Sequence, residues 1–309
     1  MNRENTDALK DQPTKGARLA YKLKNANVYV STQGFHFIDY LDPVSEISSE
    51  IDSSQLTDKE SAYIETQLQA NLKKFKNQAD IVAKHLSLQN ARVLDIGCGQ
   101  GYVAKELATK AAEVTGIDQY VPAEPPASNV QLKRWDLDVN QFPVDVTQFD
   151  QIFMLDVIEH LHDPEVFMEL LREATGRKRP EIVLTTANIG FFVTRFMLFL
   201  GHFNYGPKGI LDRTHTRLFT FNSLKELFAQ TGYQVLEVRG VPAPFPKALG
   251  DNALGTLLVG VNQFLIGICK GLFSYQIFLR ARALPTVPAL LSETIERSDE
   301  MKKAAAVAV

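Results

Sequence analysis

Cysteine is scarce: Cys98 and Cys269 are the only two in 309 residues, so a disulfide framework of the kind that staples small secreted domains is not expected. Basic charge is not in excess either. With 33 Lys and Arg against 36 Asp and Glu the net charge is -3 at pH 7, which provides no electrostatic footprint for nucleic acid. The opening stretch, MNRENTDALKDQPTKGARLA, lacks the apolar core of a secretory signal, and a cytoplasmic location is the expectation. Internal repeats and low-complexity tracts are missing, and the Pro-rich YVPAEPPASN reads only as a loop. Long apolar runs are nearly absent as well. The strongest, Leu254 to Phe273, carries one full charge, Lys270.

What is present is ordinary globular material, 45% hydrophobic and 22% charged, enough for one large domain with additions. Residues 1–90 read as an N-terminal extension, partly helical. It holds a strand-like patch, NVYVSTQGFHFIDYL, and from Thr57 a helical run opened by a Thr57 to Glu60 capping box. Residues 91–285 read as the main domain, with insertions at 189–218 and 241–273, and 286–309 as a tail.

Within the main domain short apolar runs alternate with helical segments. RVLDIG, EVTGID, VQLKRWDL, QIFMLDV and EIVLTTAN read as five strands, with YVAKELATKAA and PEVFMELLREATG as helices between them. YQVLEVRGV and SYQIFLRARAL read as a sixth and a seventh strand that pair antiparallel at one sheet edge. The expected fold is a doubly wound α/β sheet, mostly parallel, with an antiparallel last strand. Such sheets bind ligands beyond the carboxyl ends of their strands.

DIGCGQG, Asp95 to Gly101, falls at such an end. Gly97, Gly99 and Gly101 remove the Cβ atoms that would keep a ligand from the backbone, and the helix that follows offers free N–H groups. Their even spacing differs from the dinucleotide fingerprint, whose third glycine comes three residues after the second. Asp118, at the end of the second strand and followed by Gln119, could accept hydrogen bonds from both hydroxyls of a ribose; Asp136 could do the same for an adenine amino group.

Taken together, VLDIGCGQG, VTGID, WDLD and FDQIFMLDVIEHLHDP resemble the motif series of the class I S-adenosylmethionine-dependent methyltransferases, over about residues 92–240. The closest likeness is to the small-molecule branch of ubiquinone-type O-methyltransferases and sugar methyltransferases. The resemblance implies a Rossmann-like fold and S-adenosylmethionine as cofactor. It implies that Asp95, Gly97, Cys98, Gly99 and Gly101 surround the cofactor's amino-acid part and that Asp118 and Gln119 take the ribose side. Asp136 and Leu137 would take the adenine, and Leu155 would lie beside the sulfonium.

Methyl transfer asks the protein to align a nucleophile in line with the methyl carbon and to exclude water, and a hydroxyl nucleophile is helped by a base. His160, in VIEHLHDP, would face the methyl group if that geometry holds; the plainer reading is that Glu159 and His160 brace the turn. A metal is not expected at EHLHD, which lacks a spaced second set of ligands. His215 lies in GPKGILDRTHTRLFTF, where it could orient or deprotonate an acceptor while Arg213 or Arg217 grips a carboxylate or phosphate; the alternative is an internal brace built on Asp212.

NIGFFVTRFMLFLGHFNYG is apolar nearly all round and is expected as core or as a lid. In the run from Leu254 to Phe273 the residues Leu254, Leu257, Leu258, Val261, Leu265, Ile268 and Leu272 form one helical stripe, which makes it an amphipathic helix. With both ends tied to one sheet it cannot cross a bilayer once, so it is expected as a wall of the acceptor pocket or a subunit contact. Peripheral contact with a membrane and a homodimer are the other uses open to such helices.

The sequence thus points to methyl transfer to a hydroxyl, in preference to an amine or carbon, of a small-molecule, sugar or lipid-linked acceptor. The alternatives are a non-catalytic nucleotide-binding or scaffold protein on the same fold and a nicotinamide-dependent oxidoreductase.

Overall fold

The computed structural model describes residues 18–23, 26–30, 36–40, 88–122, 124–137, 141–206, 208–245 and 253–307. The chain divides into two units, Met1–Asn71 and Leu72–Val309.

In the first unit β1 (Arg18–Leu23), β2 (Ala26–Val30) and β3 (His36–Tyr40) form a three-stranded antiparallel sheet in that order. The sequence patch covers β2 and β3, while β1 lies in a stretch that reads as merely polar and mixed. The helical run expected from Thr57 lies outside the described residues.

The second unit contains a seven-stranded sheet. Its strands are β4 (Arg92–Ile96), β5 (Glu113–Asp118), β6 (Val130–Arg134), β7 (Gln151–Leu155), β8 (Glu181–Ala187), β9 (Tyr233–Val241) and β10 (Gln276–Ala283). Their order is β6-β5-β4-β7-β8-β10-β9; β4 to β8 pair parallel, and β10 runs antiparallel to both β8 and β9. The expected sheet, including its antiparallel last strand, is present.

Continuous apolar runs make the central strands. Val93, Leu94, Ile96, Ile152, Phe153, Met154, Ile182, Val183 and Leu184 are all fully buried, because helices cover both faces. The helix α1 (Tyr102–Ala108) lies on one face, where Val103, Ala104 and Leu107 join Val114 and Phe153. On the other face lie α2 (Pro164–Ala174), through Phe167, Met168 and Leu171, and α4 (Phe221–Gln230), through Leu224, Leu227 and Phe228. Each starts where its sequence dictates. Asp163 accepts from the Val166 N–H at 3.1 Å with Pro164 next to it, and Thr220 and Ser223 close a capping box.

Between β8 and α4 runs α3 (Phe192–Phe199); after β9 come α5 (Ala253–Ile268), a break at Cys269 and the short α6 (Lys270–Phe273). A last helix, α7 (Val287–Val307), is tied to the rest by Arg177, whose guanidinium holds both oxygens of Glu296 at 2.6 and 2.8 Å.

Two expectations are corrected here. Core does not describe α3: of its residues only Thr194 is buried, and Phe196 and Phe199 are 61% and 84% exposed. The stripe on α5 also faces the other way from an amphipathic helix. Leu254, Leu257, Val261 and Ile268 are exposed, whereas the buried residues are Gly255 and Asn262. The reason is a hydrogen-bond requirement. Asn262 accepts from the Ala243 N–H at 2.9 Å and donates to the Phe273 carbonyl at 2.9 Å, so a satisfied amide marks the inside of this helix. Among the described residues no helix is long and apolar enough to cross a membrane.

Candidate active site

Strand order reverses beside β4, whose neighbours are β5 on one side and β7 on the other, so the loops that follow β4 and β7 meet at the switch point of the sheet. The first loop is Gly97 to Gly101. All three of its glycines take positive φ, 74°, 51° and 75°, the region that Cβ atoms disfavour. A Cβ on Gly97 would fall 2.3 Å from Val157, whereas a Cβ on Gly99 would meet nothing within 4 Å. Gly97 is thus needed for packing, and Gly99 faces open space.

Asp118 locks this loop. Its Oδ2 accepts the Gly99 N–H and its Oδ1 the Tyr120 N–H, both at 2.8 Å. Asp95 lies beneath it, 2% exposed, with Oδ2 lacking any hydrogen-bond partner among the described residues. Burial, and then the charge of Asp118, push its carboxyl up to about 8. Burial likewise pushes the Cys98 thiol up, reinforced by Asp95 and Asp118, which keeps the sulfur protonated and non-nucleophilic.

The remaining cofactor-side residues lie on the same edge of the sheet. The Trp135 N–H donates to the Asp118 carbonyl at 2.8 Å, which places Asp136, exposed, and Leu137, half-buried, directly after β6. Gln119 is exposed beyond Asp118, and half-buried Leu155 ends β7.

The loop after β7 carries the second cluster. Asp156 takes φ 57° and accepts from Thr185 Oγ1 at 2.8 Å and from Gln276 Nε2 at 2.7 Å. Glu159, 2% exposed, accepts the Ala187 N–H at 3.3 Å through Oε1, while its Oε2 has no partner among the described residues. Burial and then Asp156 raise its pKa. The Glu159 carbonyl also accepts the Thr216 and Arg217 N–H groups at 2.9 and 3.1 Å, which draws the segment from Asp212 to Arg217 over this loop.

That docking brings His160 and His215 together, with ring centroids 4.8 Å apart at 73°. His160 Nδ1 lies 3.1 Å from the Thr214 carbonyl and His215 Nδ1 lies 2.9 Å from the Ile210 carbonyl. A carbonyl only accepts, so each Nδ1 carries the proton and each Nε2 keeps its lone pair. Burial lowers the His160 pKa against the raising effect of its Thr214 bond, and His215 lowers it further. Glu159, His160 and His215 each offer a ligand atom within 4.8 Å of the others, a trio that could seat a cation.

The two arginines do not join this cluster. Arg217 pairs with Glu165 in the first turn of α2, and Arg213 is exposed on the loop. Among the described residues Asp212 pairs with no arginine; its Oδ1 accepts from the Thr214 N–H and hydroxyl at 2.9 and 2.8 Å. Sequence reasoning missed the deep burial of Glu159 and the left-handed turn at Asp156. The only trace of the former is a charged residue set between apolar neighbours in VIEHL.

Comparison with known proteins identifies the family. The family model described as a methyltransferase domain matches residues 62–238. The ubiquinone biosynthesis O-methyltransferase of Azorhizobium caulinodans is 25% identical over 210 residues, 61% of this chain and 78% of that protein. Its namesake from Coxiella burnetii is 24% identical over 172 residues, 52% and 70% of the two chains. A solved structure of a SAM-dependent methyltransferase from Archaeoglobus fulgidus aligns with 68% of this chain and 94% of its own, at 15% identity and a TM-score of 0.48. A match to more than half of the chain, on the motifs that form the glycine loop, places this protein in the methyltransferase domain family: it is an S-adenosylmethionine-dependent methyltransferase.

Proposed function

We propose that the protein methylates a hydroxyl of a small apolar acceptor, phenolic or lipid-linked, in preference to an amine or a carbon. The observation that carries this reading is the pair His160 and His215, two imidazoles fixed by carbonyls with both Nε2 lone pairs available. A hydroxyl is the acceptor that needs such a base, since it is a weak nucleophile until its proton leaves. His160 is the better candidate to take that proton, with its pKa held below the usual histidine value, and His215 positions it.

The cofactor fits the residues at the other end of the site. Asp95 Oδ2, buried and without a hydrogen-bond partner among the described residues, suits an ammonium group, and the open face of Gly99 suits close approach of a ligand to the backbone. Each Asp118 oxygen has a lone pair beyond its backbone bond, one for each ribose hydroxyl. Gly97, Cys98 and Gly101 complete the loop, Gln119 lies on the ribose side beside Asp118, Asp136 and Leu137 flank the adenine, and Leu155 walls the transfer path. When bound, S-adenosylmethionine supplies a methyl group already activated by its sulfonium. The chain's own task is to orient the acceptor, remove one proton and exclude water.

The names of the two relatives support a hydroxyl acceptor of apolar type. A transfer screen with labelled S-adenosylmethionine over phenols, sugars, amines and lipid-linked hydroxyls tests the reading. Incorporation into hydroxyl acceptors, lost in His160→Ala and His215→Ala, is expected; transfer to amines alone would overturn it.

A further inference from the structure

The helix after β8 and the helix between β9 and β10 carry exposed apolar surface. On α5 the exposed residues Leu254, Leu257, Val261, Phe264 and Ile268 recur at helical spacing and form an unbroken outer stripe roughly 20 Å long. Phe264 is 70% exposed and Leu257 62%. On α3, Phe196 and Phe199 point outward in the same manner. The root of α3 is joined to α6, the short helix that follows α5. The Asn188 side chain donates to the Gly271 and Ser274 carbonyls at 3.2 and 2.8 Å, and the Phe192 and Phe273 rings lie 6.0 Å apart. Patches of this kind are rare on monomeric proteins unless something covers them.

Charge selects the cover. Residues 188–211 and 253–275 contain no Asp or Glu, but they carry Arg195, Lys208 and Lys270, all exposed. The charges within these segments are all cationic, with Asp212 next in sequence, and a greasy face of that make-up is complementary to anionic lipid headgroups over acyl chains. Position agrees. α3 leaves the carboxyl end of β8, and α5 and α6 connect the carboxyl end of β9 to the start of β10, so both helices lie along the edge of the sheet that holds His160 and His215. A second copy seated there would cover the acceptor side of the site, whereas a bilayer supplies it.

We infer that the outer faces of α3 and α5 dock the protein on an anionic lipid bilayer, from which an apolar acceptor enters the site. The inference rests on the hydroxyl-acceptor reading for the acceptor's class, but docking is measured without turnover. In flotation assays the full chain is mixed with phosphatidylcholine vesicles and with vesicles that also contain phosphatidylglycerol. Wild type is expected to float with the anionic vesicles, less so at high salt. Leu257→Glu combined with Phe264→Glu denies the lipid two apolar side chains and is expected to lower partition about a hundredfold or more. Phe199→Glu lowers it further. Unchanged affinity of the variants for S-adenosylhomocysteine establishes that they are folded, and methylation of a water-soluble phenol without lipid reports on the active site independently of docking. Wild type left unbound by both vesicle types would overturn the inference. So would a double variant that floats like wild type, or light scattering that finds a dimer which the same substitutions split while wild type stays off the vesicles.

Discussion

Asp95 is poised to release a proton when the cofactor binds. Its carboxyl is buried, and its pKa of about 8 makes it about nine-tenths protonated at pH 7 in the free protein. An ammonium placed against Oδ2 favours the carboxylate, so binding should expel about 0.9 proton at pH 7 and about half a proton at pH 8. Affinity should then climb nearly tenfold from about pH 6 to pH 7 and level off above about pH 8. Calorimetric titration with S-adenosylhomocysteine, repeated in buffers of different ionisation enthalpy, counts the protons directly. Asp95→Asn has none to give and should show a flat profile and a count near zero. The stability of the free protein runs the opposite way: the folded pKa lies above the ordinary carboxylate value, so the contribution is present at low pH and lost as pH rises through about 8. A wild-type count near zero at pH 7, or the same count in Asp95→Asn, would refute the placement of the ammonium.

Further outcomes follow from the same geometry. Asp118→Ala removes the clamp on Gly99 and, on the proposed placement of the ribose, two contacts to a charged group, and calorimetry should find cofactor affinity lower by about a hundredfold or more. Gly99→Ala should lose only the roughly 1–2 kcal/mol that a Cβ costs at positive φ, since that Cβ meets open space, yet bind cofactor poorly; Gly97→Ala, which adds a clash with Val157 to the same strain, should lose more by denaturant unfolding. His215→Ala should keep cofactor affinity and lose on the order of a hundredfold in turnover, read as kcat against Kd. In wild type, turnover should fall as pH drops through a value below the ordinary histidine pKa, because His160 must be neutral to accept a proton.

The sheet is legible in the sequence because strands buried on both faces leave unbroken apolar runs, as in RVLDI, QIFML and EIVLTTA. The glycine loop is legible too, since positive φ at Gly97, Gly99 and Gly101 requires a residue type that composition alone reveals. The orientation of α5 is not. The face away from its apolar stripe reads as the outside, yet Asn262 is inside because the Ala243 N–H and the Phe273 carbonyl satisfy it there. The partner of Arg217 is equally hidden: Glu165 lies 52 residues earlier, on a helix that only the tertiary fold brings near. Glu159 reads as a capping or bracing residue until the Ala187 N–H and the docked Thr216 segment enclose it.

The central claim is transfer to oxygen. It is tested most directly by mass-spectrometric location of a labelled methyl group after incubation with a phenol that carries an apolar tail and also offers an amine. The account predicts the label in a methyl ether, and a label on nitrogen or carbon would contradict it.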